Sequence, residues 1–94
     1  MAISDNNKKF LDDLIQYYIN ESESYKQFAN EYKEFSKSEM DVAFGLIVGS
    51  IYSTFLQTYA NQQLEVKLDD IQEFHELIRD NLEKISKALD ENKA

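Results

Sequence analysis

The chain has no cysteine and no proline, and only two glycines among 94 residues. Without cysteine there is no disulfide, no thiolate metal site and no thiol catalysis. With breakers almost absent, long helices are favoured over a sheet with tight turns. Basic residues are scarce too. Ten Lys and Arg stand against eighteen Asp and Glu, for a net charge of −8. Residues 1–35 carry four bases against seven acids, residues 36–63 one against two, and residues 64–94 five against nine. The acidity flanks the middle of the chain and spares it. Binding to nucleic-acid phosphates or to anionic membranes needs basic patches, so this balance argues against both.

At this length the chain forms one domain, residues 1–94. It buries only about 60–65% of its unfolded surface, so any partner that adds burial adds stability. Hydrophobic content of 43% marks a folding chain and not an acidic tail. The first residues, MAISDNNKKF, hold no apolar core of leader-peptide length before the charges begin, and the expected compartment is the cytoplasm.

The sequence predicts an all-α antiparallel three-helix bundle, with helices over about 5–35, 37–61 and 69–92. The first has apolar residues at spacings of three and four: Leu11, Leu14, Tyr18, Tyr25, Phe28, Tyr32 and Phe35. Glu21 interrupts this seam, and the polar stretch 20–24 is either one exposed turn or a break that makes four helices. Continuity is the better reading, because the seam resumes in phase at Tyr25. Ser4 or Asp5 suits the N-cap. The second helix begins near Ser36 or Ser38, where Ser36-x-x-Glu39 fits a capping box. The third shows a heptad seam, Leu64, Leu68, Ile71, His75, Ile78, Leu82, Ile85 and Leu89, with Asp69 or Asp70 as its cap. No glycine or proline marks the turn at about 62–69, so the second and third helices read either as separate or as one rod.

Residues 42–60, VAFGLIVGSIYSTFLQTYA, carry no charge and contain both glycines as Gly45-x-x-x-Gly49. On a helical wheel the apolar arc covers most of the circumference. Ala43, Ser50, Thr54, Gln57, Thr58 and Asn61 form the remaining polar or small strip. Such a helix is central, and two flanking stripes cover only part of it. The run is just long enough to span a bilayer. Its polar residues, its acidic flanks Glu39, Asp41 and Glu65, and the amphipathic neighbours argue instead for a bundle in water. Gly45, Gly49 and Ser53 share one face and would let another helix approach closely. With Leu46 and Leu56 they form the expected interface of a homodimer.

The chemistry-bearing residues are few. His75 is the only histidine and sits in the seam, as Glu21 does in the first helix. If the two helices align, they meet as a polar pair that fixes register or, less plainly, as a small-ligand site. No Glu-x-x-His pair or glycine-centred acidic loop suggests a metal. No nucleophile elbow or phosphate loop suggests catalysis. No cofactor, metal or catalytic residue is expected. Six tyrosines, at 17, 18, 25, 32, 52 and 59, are either core-edge residues or part of a protein contact. The expectation is thus a non-enzymatic interaction or assembly module that binds itself or another protein. One alternative is an acidic inhibitor that mimics nucleic acid toward a basic partner. The other is a small-ligand bundle around Glu21 and His75.

Overall fold

A computed structural model describes residues 2–91. Five helices occur among them: α1 (Asp5–Asn20), α2 (Ser22–Asn30), α3 (Glu39–Asn61), α4 (Leu68–Asp80) and α5 (Leu82–Glu91). The molecule is all-helical, with extents of 40 × 23 × 18 Å. The expected end of the last helix at residue 92 lies outside the described residues.

The first expected helix is two. At Glu21 the backbone leaves the helical region (φ −97°, ψ 13°), while its N–H still reaches the Tyr17 carbonyl at 3.0 Å. The expected continuity to Phe35 therefore does not hold. α2 stops at Asn30, and residues 31–35 continue as turns, with Phe35 N–H donating to the Tyr32 carbonyl at 2.9 Å. The inward stripe of α1 and α2 runs Ile3, Asn7, Leu11, Ile15, Ser22 and Ala29. Its polar members are therefore Asn7 and the fully buried Ser22, and not Glu21, which is exposed.

The caps follow the sequence only in part. Ser4 Oγ accepts from Asn7 N–H at 3.2 Å and starts α1. Ser38 Oγ, and not Ser36, starts α3 by accepting from Asp41 N–H at 3.1 Å. Ser36 Oγ is buried without a hydrogen-bond partner. Lys67 is the N-cap position of α4, and Asp70 at N3 accepts from the Lys67 N–H at 2.9 Å. The Asp70 carboxylate thus satisfies an orphan donor from inside the helix.

α3 and α4 are separate. Gln62 ends α3, and Gln63 turns the chain with φ +57°. Leu64 N–H donates to the Tyr59 carbonyl at 2.9 Å and Gln63 N–H to the Ala60 carbonyl at 3.0 Å. Those two bonds make a Schellman motif in which a glutamine occupies the left-handed position that glycine favours.

The third expected helix also divides, at Asn81. Asn81 Nδ2 donates back to the Leu77 carbonyl at 2.9 Å, so its side chain competes with the backbone ladder. The inward residues of α4 are Asp70, Phe74, Leu77 and Ile78, and α5 adds Ile85 and Leu89. Of the expected heptad seam only Ile78, Ile85 and Leu89 are buried, and Leu82 between them is 40% exposed. Leu64, Leu68 and His75 are exposed, and Phe74 takes the inward place one step away.

α1, α2 and α5 all pack against α3, which buries every fourth residue: Ala43, Ile47, Ile51, Phe55 and Tyr59. Ala43, expected on the open strip, is fully buried. α4 meets α3 through aromatic rings, with the Phe74 centroid 5.0 Å from Phe55 and 5.1 Å from Tyr52. Contacts of that kind contribute about 0.5–1.5 kcal/mol each beyond area burial.

Candidate interaction surface

α3 is the most apolar helix of the chain and yet is poorly covered. It is the only helix among the described residues that is long and apolar enough to cross a membrane, and 22% of its most apolar 18-residue window is buried. The cause is geometric. A helix that buries residues four apart turns its stripe by about 40° at each step. The stripe from Ala43 to Tyr59 therefore winds beneath α1, α2 and α5 and leaves the opposite side open.

That open side is the small-residue face. Gly45, Gly49, Ser53, Leu56 and Ala60 are exposed along it, and Leu46 is half-buried at its edge. A Cβ built on Gly45 or on Gly49 would meet nothing within 4 Å. Neither glycine is needed for a contact inside the chain. Thr54 and Thr58 turn their hydroxyls to the Ser50 carbonyl (3.0 Å) and the Thr54 carbonyl (2.8 Å), so their polarity is spent within the helix.

Glu21 and His75 lie apart in role. Both are exposed, and no hydrogen bond or ion pair joins them among the described residues. Glu21 occupies the α1–α2 break. His75 lies over Tyr52, with ring centroids 6.5 Å apart and nearly parallel planes. No group of three or more His, Asp or Glu side chains is placed to hold a metal ion among the described residues.

The polar feature that sequence reasoning missed joins the start of α1 to the α3–α4 turn. Asn7 and Gln62 exchange two carboxamide hydrogen bonds, at 3.1 and 2.9 Å. Tyr59, buried beside them, lies within the field of the buried Asp70 carboxylate. Burial first, and the Asp70 charge second, push the Tyr59 phenol up to about 12. A groove of about 520 Å³ runs past these residues, lined by Ser4, Asn7, Tyr59, Glu65, Lys67 and Asp70. Every buried polar side chain named there already has a partner inside the chain. A sequence signal for Asp70 did exist: two adjacent aspartates at a helix start.

A second groove of about 470 Å³ follows α4, where Asp69, Glu73, Glu76 and Asp80 face Lys8. Glu73 Oε2 accepts from the N–H groups of Ala2 (2.9 Å) and Ile3 (3.2 Å), which straps the first residues to α4 and holds Ile3 in the core. The tyrosines divide. Tyr17 is exposed, Tyr18 and Tyr25 are half-buried with rings 5.4 Å apart, and Tyr59 is buried. Desolvation, then the Tyr18 hydroxyl, raises the Tyr25 phenol above its ordinary value. Comparison with family models, curated proteins and solved structures finds no match to this chain.

Proposed function

We propose that the chain is a non-enzymatic interaction or assembly module that pairs with a second copy through the open face of α3. The observation that carries this reading is the open face of the apolar helix α3, with its two glycines facing open space. Each glycine costs about 1 kcal/mol against alanine inside a helix. Gly45, Gly49 and Ser53 let a second helix backbone come close, and dispersion across that contact offsets the cost. Leu46 and Leu56 flank the strip and add apolar area. Two identical faces related by a two-fold axis close as a dimer.

Sedimentation velocity in detergent-free buffer tests the reading. A dimer is expected at micromolar concentration, and replacing Gly49 with leucine returns a monomer of unchanged helicity. A wild-type chain that stays monomeric across that range ends the proposal. A chain that is insoluble without detergent transfers the α3 face to lipid.

The acidic groove along α4 supports a second reading, in which the chain binds a basic partner. Asp69, Glu73, Glu76 and Asp80 recur at spacings of four, three and four on one side of α4, with Lys8 the one base lining the groove. Binding to a basic protein would weaken steeply between low and physiological salt. Indifference to salt removes this reading and leaves the first untouched.

A further inference from the structure

The end of α2 and the link from α2 to α3 carry aromatic residues that the chain covers only in part. Phe28, Tyr32 and Phe35 are 50%, 49% and 87% exposed. They form one ridge. The Phe28 and Tyr32 rings lie 5.4 Å apart, and the backbone keeps near-helical turns from Phe28 to Phe35 through i→i+3 hydrogen bonds. Spacings of four and three then place all three side chains on one side.

A notch of about 240 Å³ opens between the start of α3 and α5, lined by Met40, Asp41, Phe44, Leu82, Ser86 and Leu89. Its volume suits one aromatic side chain. Met40 follows Phe35 by five residues, so at most about 18 Å of chain separates them. Phe35 nevertheless does not fill the notch of its own chain.

We propose that ridge and notch form a second self-contact, in which Phe35 of one copy seats in the Met40–Phe44–Leu82 notch of another, reciprocally. Three properties favour a second copy as the occupant. Knob and hole occur on the same chain, which is what an isologous contact requires. Charge pairs are available: Lys33 and Lys37 flank Phe35, with Glu34 between them, while Asp41 lines the notch and Glu39 precedes it. The area suffices for a weak contact. At roughly 200 Å² per aromatic side chain, the ridge holds roughly 350–400 Å² open per copy. With Met40 and Leu82, the two copies together reach roughly 1,000 Å², the lower bound for a specific interface. The ridge and the α3 face are separate, so a chain that uses both passes beyond the dimer, closing as a tetramer where the two two-fold axes cross at right angles and otherwise extending as an open chain.

Sedimentation velocity of the full chain over a wide concentration range tests this, with circular dichroism to confirm that each variant is folded. The wild type is expected to pass beyond the dimer. Phe35→Ala, at an exposed position, weakens the ridge step at least tenfold and leaves the α3 dimer. Leu82→Glu does the same from the notch side. Mixing the two variants restores one knob and one notch, and with them partial association. Gly49→Leu removes the α3 step and leaves the ridge step. A ridge dimer that survives in Gly49→Leu and also in the absence of any α3 dimer would support this contact while ending the other. A Phe35→Ala profile identical to wild type overturns it. So does a Phe35→Ala variant whose only loss is binding to phosphatidylcholine vesicles, because the ridge would then meet lipid.

Discussion

Tyr59 of α3 and Asp70 of α4 are both buried and interact electrostatically inside the protein, across a turn with no glycine. The pair ties the end of one helix to the first turn of the next. It also makes stability depend on pH at the alkaline end. The folded phenol titrates at about 12 and an unfolded one at about 10. Between those values the unfolded chain has lost a proton that the folded chain retains. Stability therefore falls as pH rises from 10 to 12, by about 2–3 kcal/mol from this residue, and is unaffected by it below pH 10. Denaturant melts at pH 9, 10, 11 and 12 check this. Tyr59→Phe should flatten the decline, leaving the smaller slope due to Tyr25. An undiminished slope in that variant would show that Tyr59 is not its source.

The turn itself offers a stabilising change. Gln63 holds φ +57°, a conformation that costs a residue with a Cβ about 1–2 kcal/mol. Its N–H group still bonds the Ala60 carbonyl, so the backbone arrangement suits glycine. Gln63→Gly relieves the strain and loses a few tenths of a kcal/mol to the greater freedom of the unfolded chain. A net gain of about 0.5–1 kcal/mol is expected, read as a higher midpoint in urea at unchanged slope. A lower midpoint would mean that the glutamine side chain makes contacts worth more than the strain.

The same glutamine shows why part of the fold was hidden in the sequence. Glycine and proline are the usual marks of a turn, and neither lies between Asn61 and Leu68, so two helices and one rod read alike. At Glu21 and Asn81 the breaks span a single residue, and the apolar spacing resumes almost in phase beyond each. Only side-chain competition at Asn81 and the local backbone at Glu21 betray them. The all-helical class, the Ser4 cap and the charge-free central helix were legible because composition and period carry them. The phase of α4 was not. Ile71 and His75 fit a heptad that begins at Leu64, and Phe74 fits the helix that begins at Leu68. The inward face runs through Asp70, Phe74 and Leu77, each one residue away from the Ile71, His75 and Ile78 seam. The open side of α3 could be foreseen as a shortage of cover. Its location at Gly45, Gly49 and Ser53 matches the small residues, because the large ones were drawn to α1, α2 and α5.

Phe74 and His75 make this phase measurable. Phe74 is buried among Tyr52 and Phe55, while His75 is exposed. Phe74→Ala should cost about 3–5 kcal/mol. His75→Ala should change stability by about 0.5 kcal/mol or less, since the ring only rests on Tyr52. Chemical denaturation of the two variants reads the difference directly. Comparable losses at both positions would return His75 to the inward seam.

Lys26 is a cation in an awkward place. Its Nζ is shielded from water and has no hydrogen-bond partner among the described residues. A buried donor left unpaired costs about 1–3 kcal/mol. Methionine keeps the length of the stem and removes the donor. Lys26→Met should therefore raise stability by about 1 kcal/mol or more in thermal or urea unfolding. A destabilised variant would reveal a partner for the ammonium in solution.

Gly45 and Gly49 separate folding from association in one experiment. A methyl group at either site meets open space within the chain, so alanine brings its helix preference without a clash. Each replacement should stabilise the single copy by up to about 1 kcal/mol. For a chain of this size that is roughly 4–8 °C in Tm per site. At the α3–α3 contact the same methyl groups hold the backbones apart. The double variant should therefore melt higher than wild type at sub-micromolar concentration, where both are monomers. Wild-type Tm should climb with protein concentration as mass action favours the dimer, and the variant's should stay nearly flat. Parallel curves, with the variant above wild type at every concentration, would mean that the two glycines are only weak points of a helix and that a partner, if one covers α3, does so elsewhere.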